Sequence, residues 1–319
     1  MLSGMLVLAA LLLGLLLDSC FGEVRRWHPL VGFGSLAQRL EQRWNRPAAG
    51  RWRGACAWAL LVLPPVLALQ AALWALARYS VFLAVLAHAL LLYFCLGLRS
   101  LKEHNLPIQA ALEQDDLATA RRLTSYIVSR DTGHADAASL AKASVESLLE
   151  NGADAVFASV FWFLLLGGAG AVLHRLTNTL DAMWGYRSER WLRFGCVAAR
   201  SDDVLNWVPA RLTALSYAVL GDTKLALQCW RRQAPAWDSP NAGPVMAAGA
   251  GALGVQLGGR ARYDGIDEIR PPLGQGRAAL AADITRAWQL VRAVLYLWCG
   301  ALSLLALGRV LFTVGINYA

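Results

Sequence analysis

Apolar residues run unbroken from Met1 to Leu17. No basic residues precede that run, so it reads as a retained transmembrane helix rather than a cleaved signal. A second apolar stretch covers Ala55 to Ala77, with Pro64-Pro65 predicting a kink. Arg78-Tyr79 predicts a tight turn, and Val81 to Leu98 returns as a third span. A last apolar stretch lies between Trp288 and Phe312. The middle of the chain follows a different pattern. Ile108 to Arg130 places Leu112, Leu117, Leu123 and Ile127 on one helical face. Ala135 to Asp154 predicts another helix. Phe157 to Leu173 is apolar but short, and carries Gly167, Gly168 and Gly170. A stretch that short is expected to be buried or re-entrant rather than spanning. Val204 to Leu220 is apolar apart from Asn206, Pro209 and Arg211, and Met246 to Gly259 is rich in small residues. No alternating β pattern appears. The expected fold class is all-α: a polytopic helical membrane protein with a large helical cytoplasmic portion. The predicted organisation is a three-span anchor with a basic loop over 1–104, a helical catalytic region over 105–287, and a C-terminal transmembrane helix over 288–319.

Composition supports that pattern. The chain is 57% hydrophobic and only 16% charged over 319 residues, whereas soluble domains are about 25% charged. The net charge is +8. Seven Arg, with Trp27, Trp44 and Trp52, lie between Asp18 and Gly54. By the positive-inside rule that loop is cytoplasmic, which puts the N-terminus outside. No basic helix or aromatic-basic strand pattern points to nucleic acid. The six cysteines include no CxxC pair, which argues against a disulfide framework or a zinc site.

The polar residues of the middle region carry the chemistry. Glu146, Glu150 and Asp154 recur at i, i+4 and i+8, on one helix stripe. Like charges so spaced repel, and a Mg²⁺ ion among them would relieve that. A solvated acidic face is the plain alternative. Asn178 with Asp181, and Asp203 with Asn206, share an i, i+3 spacing that presents an acceptor and an amide to one ligand. Asp202 or Asp203 also reads as an N-cap of the helix entering Val204. Arg211, in an apolar stretch, calls for a phosphate or carboxylate partner. Arg175 beside His174 carries a weaker version of the same signal. The turn Ser239 to Pro244 opens a helix whose first N–H groups could hold an anion. Close helix packing through Gly254 and Gly258 explains those glycines equally well. No GxxxxGK[ST], GxSxG or HExxH motif is present.

Taken in order, these strings resemble one family. They are His28-Pro29-Leu30 with Gly32, Arg130-Asp131-Thr132, Glu146-Ser147-Leu148-Leu149-Glu150-Asn151 with Asp154, and Asn178 to Tyr186. Ala199-Arg200-Ser201-Asp202-Asp203 with Asn206, Pro209-Ala210-Arg211-Leu212-Thr213, and Ser239-Pro240-Asn241-Ala242-Gly243 complete the series. Together they are similar to the CobD/CbiB family, the adenosylcobinamide-phosphate synthases of cobalamin biosynthesis. The pattern departs at Val24 and at Ser159, where the family carries proline. The resemblance implies ATP-dependent ligation of adenosylcobyric acid to (R)-1-aminopropan-2-ol or its O-phosphate, with ATP and Mg²⁺ as cofactors. The resemblance supports the positions of Glu146, Glu150, Asp154, Asp181 and Asp203, which are the expected catalytic residues, the first three as Mg²⁺ ligands and Asp181 or Asp203 as acceptor of the ammonium proton. It implies substrate or phosphate binding by His28, Arg130, Asn151, Asn178, Arg200, Asn206, Arg211 and Asn241. Expected partners are the corrinoid, the aminopropanol, membrane lipid, and a second copy or other corrinoid-pathway enzymes, without nucleic acid. The expected location is the bacterial inner membrane, with the active site on the cytoplasmic side. A transporter and a corrinoid-binding scaffold are the readings from other classes. Intramembrane charges suit a transporter, but most of the polar residues lie outside the clean spans.

Overall fold

A computed structural model describes residues 4–24, 26, 28–46, 50–263 and 265–317, with side chains to 309. Trp27, one of the three expected interfacial aromatics, lies outside the described residues. In chain order the helices are α1 (Gly4–Phe21), α2 (Pro29–Trp44), α3 (Arg51–Tyr79), α4 (Val81–Cys95), α5 (Leu98–Glu113), α6 (Leu117–Thr124) and α7 (Ala137–Gly152). A π-helical turn, Ala153–Phe157, joins α7 to α8 (Ala158–Leu166). Then come α9 (Gly168–Trp184), α10 (Cys196–Leu220), α11 (Thr223–Gln233) and α12 (Ala242–Leu253). Three strands follow, β1 (Val255–Tyr263), β2 (Ile266–Leu273) and β3 (Arg277–Ala278), before α13 (Ala281–Asn317). The all-α expectation holds with the addition of this small sheet.

Among the described residues, five helical segments are long and apolar enough to cross a membrane: Gly4–Phe21, Arg51–Tyr79, Val81–Glu113, Ala137–Leu166 and Ala281–Arg309. The chain is a membrane protein. Four of these match the expected spans. The fifth arises because the acidic helix and the first half of the short apolar stretch are one continuous element. That stretch is not a single segment. It breaks at Gly167, whose φ of +70° and ψ of −157° only glycine adopts readily. There the chain reverses, so α8 and α9 pack side by side. The Gly168 N–H donates to His88 Nδ1 at 2.8 Å and helps close the turn. The chain runs helically through Pro64 and Pro65 of α3, and turns at Ser80 rather than at Arg78-Tyr79. Ser80 then caps α4 by accepting from Leu83 N.

The chain folds as two compact units: Met1–Gly97, Ala158–Asn206 and Cys299–Ala319 form the first, Leu98–Phe157 and Trp207–Trp298 the second. The first unit is held by an apolar cluster that includes Ala37, Ala57, Leu61, Val62, Leu176, Leu180, Trp184, Phe194 and Ala198. Small residues there let α2, α3 and α9 approach closely, as helices in a lipid environment require. Glu41 of α2 is buried and takes a forked pair from Arg190, which fixes the segment between α9 and α10.

In the second unit the expected amphipathic helix over 108–130 is two helices, broken where Asp115 takes a φ of 56°. Asp116 caps α6 and Asp136 caps α7 through side-chain acceptance of backbone N–H groups. α12 is buried along almost its whole length. Gly249 lets Leu149 of α7 press against it. Gly254 ends α12 in the left-handed conformation, and Gly258 lies in β1. The Gly254/Gly258 pair is therefore a helix stop followed by a strand residue, not a helix-packing motif. The sheet order is β2-β1-β3, with β1–β2 antiparallel and β1–β3 parallel. The register shifts between Gly258, opposite Pro272, and Gly259, opposite Arg270. This bulge aims the Gly258 backbone at α7.

Candidate functional site

Within the first unit, α9 and α10 bring the Asn178/Asp181 and Asp202/Asn206 pairs together. Asp202 is 7% exposed. One of its carboxylate oxygens accepts from Asn178 Nδ2 at 3.3 Å and the other from Asn206 Nδ2 at 2.9 Å. The chain of bonds continues inward. Asn206 Oδ1 lies 2.9 Å from His174 Nε2, and His174 Nδ1 lies 3.3 Å from Ser159 Oγ. The Cys95 carbonyl lies 3.4 Å from Ser159 Oγ, so the single Ser159 hydroxyl proton has two acceptors within reach, His174 Nδ1 and Cys95 O. With Asn206 Oδ1 as acceptor, His174 carries its proton on Nε2. Burial holds the His174 pKa down at about 4, so the ring is neutral and acts as a fixed dipole rather than a base.

The carboxylates are electrostatically loaded. Burial, together with Asp203, pushes Asp181 up to about 6. Burial and the neighbouring Asp181 push Asp202 upward too. Asp203 is raised by burial, against the pull of Arg187. A Cβ at Gly185 would sit 2.0 Å from Asp181 Oδ1, so glycine at that position leaves room for the carboxylate. On α9, one turn before Asn178, Arg175 has a buried Nε with no hydrogen-bond partner. An orphan guanidinium donor beside carboxamides and carboxylates fits an anionic ligand. His28 belongs to the same unit. It caps α2 by accepting from Leu30 N and feels the Arg175 charge. α10 begins at Cys196, so neither Asp202 nor Asp203 is an N-cap.

The second unit gathers the other predicted residues in a different arrangement. Glu146 is 2% exposed. It accepts from Arg130 Nη2, from both terminal nitrogens of Arg270 at 3.1 Å, and from Gly258 N at 2.7 Å. Lys142 caps the Gly258 and Arg260 carbonyls. Arg270 also lies over the Trp237 ring, 5.4 Å from its centroid, within the roughly 6 Å reach of a cation–π contact. Both Glu146 oxygens are therefore committed to guanidinium and backbone donors. Asp154 falls on the π-helical turn, out of step with the α7 stripe. Among the described residues, no group of three His, Cys, Asp or Glu side chains is arranged to hold a metal ion. The expected Glu146/Glu150/Asp154 ligand set is thus not assembled. Glu150 is half-buried with no hydrogen bond among the described residues. Asn151 donates back to Ser147. Arg211 donates to Asn241 Oδ1 at 2.8 Å and to the Pro240 carbonyl at 3.1 Å, and lies over Trp207. Its partners within the chain are one amide oxygen and two backbone carbonyls. At the start of α12, Ser239 Oγ accepts from the Asn241 and Ala242 N–H groups. Those donors, expected to be open to an anion, are occupied.

Comparison with known proteins decides the family. The CobD/Cbib protein family model matches residues 11–291. The chain is 57% identical over 286 residues to "Cobalamin biosynthesis protein CobD" of Stutzerimonas stutzeri, covering 89% of this chain and 93% of the relative. It is 54% identical over 301 residues to the protein of the same name from Chromobacterium violaceum, covering 92% and 95%. Identity to the Mycobacterium tuberculosis protein of that name is 43% over 288 residues, covering 89% and 90%. The chain belongs to the CobD/CbiB family. No solved structure matches it.

Within this CobD/CbiB protein the motif residues divide between the units. Asn178, Asp181, Asp203, Asn206 and His28, with the exposed Arg200, belong to the first. Arg130, Glu146, Glu150, Asn151, Asp154, Arg211 and Asn241 belong to the second. Spacing against Asn206 left both Asp203 (i, i+3) and Asp202 (i, i+4) open, and Asp202 is the carboxylate that both amides hold. Arg175 and Arg270 were undervalued. Arg175 carried a visible signal, a guanidinium one turn from Asn178 on an apolar helix. Arg270 carried none, because its role depends on a strand pairing 124 residues downstream of Glu146.

Proposed function

We propose that this CobD/CbiB protein acts in cobalamin biosynthesis as an ATP-dependent ligase. It joins the carboxylate of adenosylcobyric acid to the amine of (R)-1-aminopropan-2-ol or its O-phosphate. The product is adenosylcobinamide or its phosphate. The observation that carries the reading is the family match over residues 11–291, which takes in every residue of the carboxylate and amide cluster. The donor set of that cluster fits Mg²⁺, which takes one or two carboxylates and completes its shell with phosphate and water oxygens. Asp202 is the ligand we assign, because a raised carboxylate held beside Asp181 gains most from a cation. Bound with ATP, Mg²⁺ would neutralise charge on the phosphoryl group that activates the substrate carboxylate.

The chain's own residues have distinct tasks in this reading. Asn178 and Asn206 hold Asp202 by both oxygens, so it does not rotate when charge builds nearby. His174 and Ser159 set the orientation of Asn206. Asp181, half-buried and with a pKa near 6, is matched to take the proton from the substrate ammonium. Arg175, with its unpartnered Nε, and the exposed Arg200 supply positive charge for phosphate groups. In the second unit Glu150 is a half-buried carboxylate on an apolar helix, of the kind that marks function in membrane proteins. ATP is cytosolic, so the active site faces the cytoplasm and the membrane is the bacterial inner membrane.

The test uses the full chain in detergent or nanodiscs with ATP, Mg²⁺, adenosylcobyric acid and aminopropanol phosphate. Corrinoid-dependent ADP release with an amide product, read by mass spectrometry, is the expected result. Uptake into vesicles without product would replace the ligase with a transporter. Corrinoid binding without turnover would replace it with a scaffold.

A further inference from the structure

One exposed feature has no part in the chemistry above. Asp222 accepts from Leu225 N and starts α11, and the helix then buries Ala226 and Cys229 toward α12. Its opposite face carries Lys224, Leu227, Gln228, Arg231 and Arg232, recurring at i, i+3, i+4, i+7 and i+8. These five residues line a recess of about 380 Å³. The three cations are exposed, and among the described residues none of them forms a hydrogen bond or an ion pair. An unpaired basic stripe with an aliphatic floor is the pattern of a helix that meets a charged bilayer surface.

The neighbouring sequence strengthens this. α10 ends two residues before α11 begins, and its last turns expose Leu215, Val219 and Leu220. Such side chains are matched to acyl chains, while lysine and arginine stems reach past them to the headgroup level. A pocket built for a free phosphate would present buried backbone N–H groups or enclosed side chains. This recess offers flexible cations, one amide and a leucine. Among the described residues, five helical segments are long and apolar enough to cross a membrane, so lipid headgroups are a standing neighbour of the chain.

We propose that the α11 recess is a binding site for the phosphate headgroup of an anionic phospholipid. The proposal is independent of the ligase reading, since it uses none of the residues assigned to turnover. Each cation near an anionic surface strengthens binding by about fivefold, so three give a preference on the order of a hundredfold.

The experiment uses the full chain purified in mild detergent, titrated with phosphatidylglycerol or phosphatidylcholine and read by native mass spectrometry. Three proteins are compared: the wild type, the triple variant K224Q/R231Q/R232Q, and the charge-preserving triple K224R/R231K/R232K. The wild type is expected to prefer phosphatidylglycerol, the neutral variant to lose about a hundredfold of that preference, and the charge-preserving variant to keep it. Equal preference in the wild type and the neutral variant overturns the proposal. So does displacement of the lipid by millimolar inorganic phosphate or ATP, which would mark a site for soluble anions. If the neutral triple fails to fold, the single variants K224Q, R231Q and R232Q are read instead. Each is expected to lose about fivefold, and no loss in any of them is equally fatal.

Discussion

Glu146→Gln is the sharpest test of what the second unit's charge cluster does. The side chains of Arg130, Arg270 and Glu146 are 13%, 14% and 2% exposed, so solvent screens the cluster little. The wild-type carboxylate receives two guanidinium groups and one backbone N–H. Glutamine keeps the shape but turns one acceptor into a donor and removes the carboxylate that both arginines hydrogen-bond. Breaking a buried ion pair in this way costs about 3–5 kcal/mol. For a domain of this size that lowers the Tm by roughly 6–20 °C. The assay is thermal unfolding of the purified chain followed by fluorescence-detected size exclusion, with and without Mg²⁺. Combining Glu146→Gln with Arg270→Gln should recover part of the loss, because the second substitution removes one of the stranded charges. Mg²⁺ should leave the wild-type Tm unchanged through this residue. A Glu146→Gln protein melting within about 2 °C of wild type would refute the structural reading. A Mg²⁺ stabilisation that only the wild type shows would restore Glu146 as a metal ligand.

Asp202→Asn tests the paired carboxylates of the first unit. Their native pKa values lie above those of the unfolded chain, so the folded state binds more protons between about pH 4 and 7. Without Mg²⁺, wild-type stability should therefore fall as pH rises through that window, and Asp202→Asn should flatten the profile; equal slopes would contradict the pairing. Asp181→Asn should abolish amide formation while leaving corrinoid binding within about threefold, and normal turnover would remove Asp181 as the proton acceptor. Arg211→Lys loses the forked donor to Asn241 and Pro240, costing about 0.5–1.5 kcal/mol in thermal stability with little change in substrate KM; a selective rise in KM for aminopropanol phosphate would mean that Arg211 binds it. Gly167→Ala forces a side chain into a glycine-only conformation with its Cβ 2.5 Å from the His88 ring. The cost of about 1–3 kcal/mol or more should show as reduced folded protein in membranes.

The fold was legible where long-range pairing was not needed. Apolar length announced α1, α3, α4 and α13, and amphipathic spacing announced α5 to α7, though not their breaks. Those breaks depend on single residues: Asp115 takes a positive φ and Gly167 an extended left-handed turn, and neither is distinctive against a background rich in glycine and acid. The sheet was illegible for a clearer reason. Ile266, Asp267, Glu268 and Ile269 of β2 are all exposed, so the strand has no buried face to impose alternation. Motif order identified the residues of α9 and α10, because i, i+3 and i, i+4 spacing is a local property. It could not choose between Asp202 and Asp203, since that depends on which side of α10 faces α9. Nor could spacing on α7 reveal that Glu146 is already neutralised, because one of its partners arrives from the β-hairpin.

That separation constrains how the protein is made. Glu146 and Arg130 leave the ribosome long before Gly258 and Arg270, which lie 112 and 124 residues beyond Glu146. Until the hairpin is synthesised, the nascent helix carries a carboxylate with one cation and no backbone donor. The insertion machinery must therefore hold or shelter this segment while more than a hundred further residues are translated. Chains truncated before residue 270 leave that cluster unfinished, however complete their apolar helices.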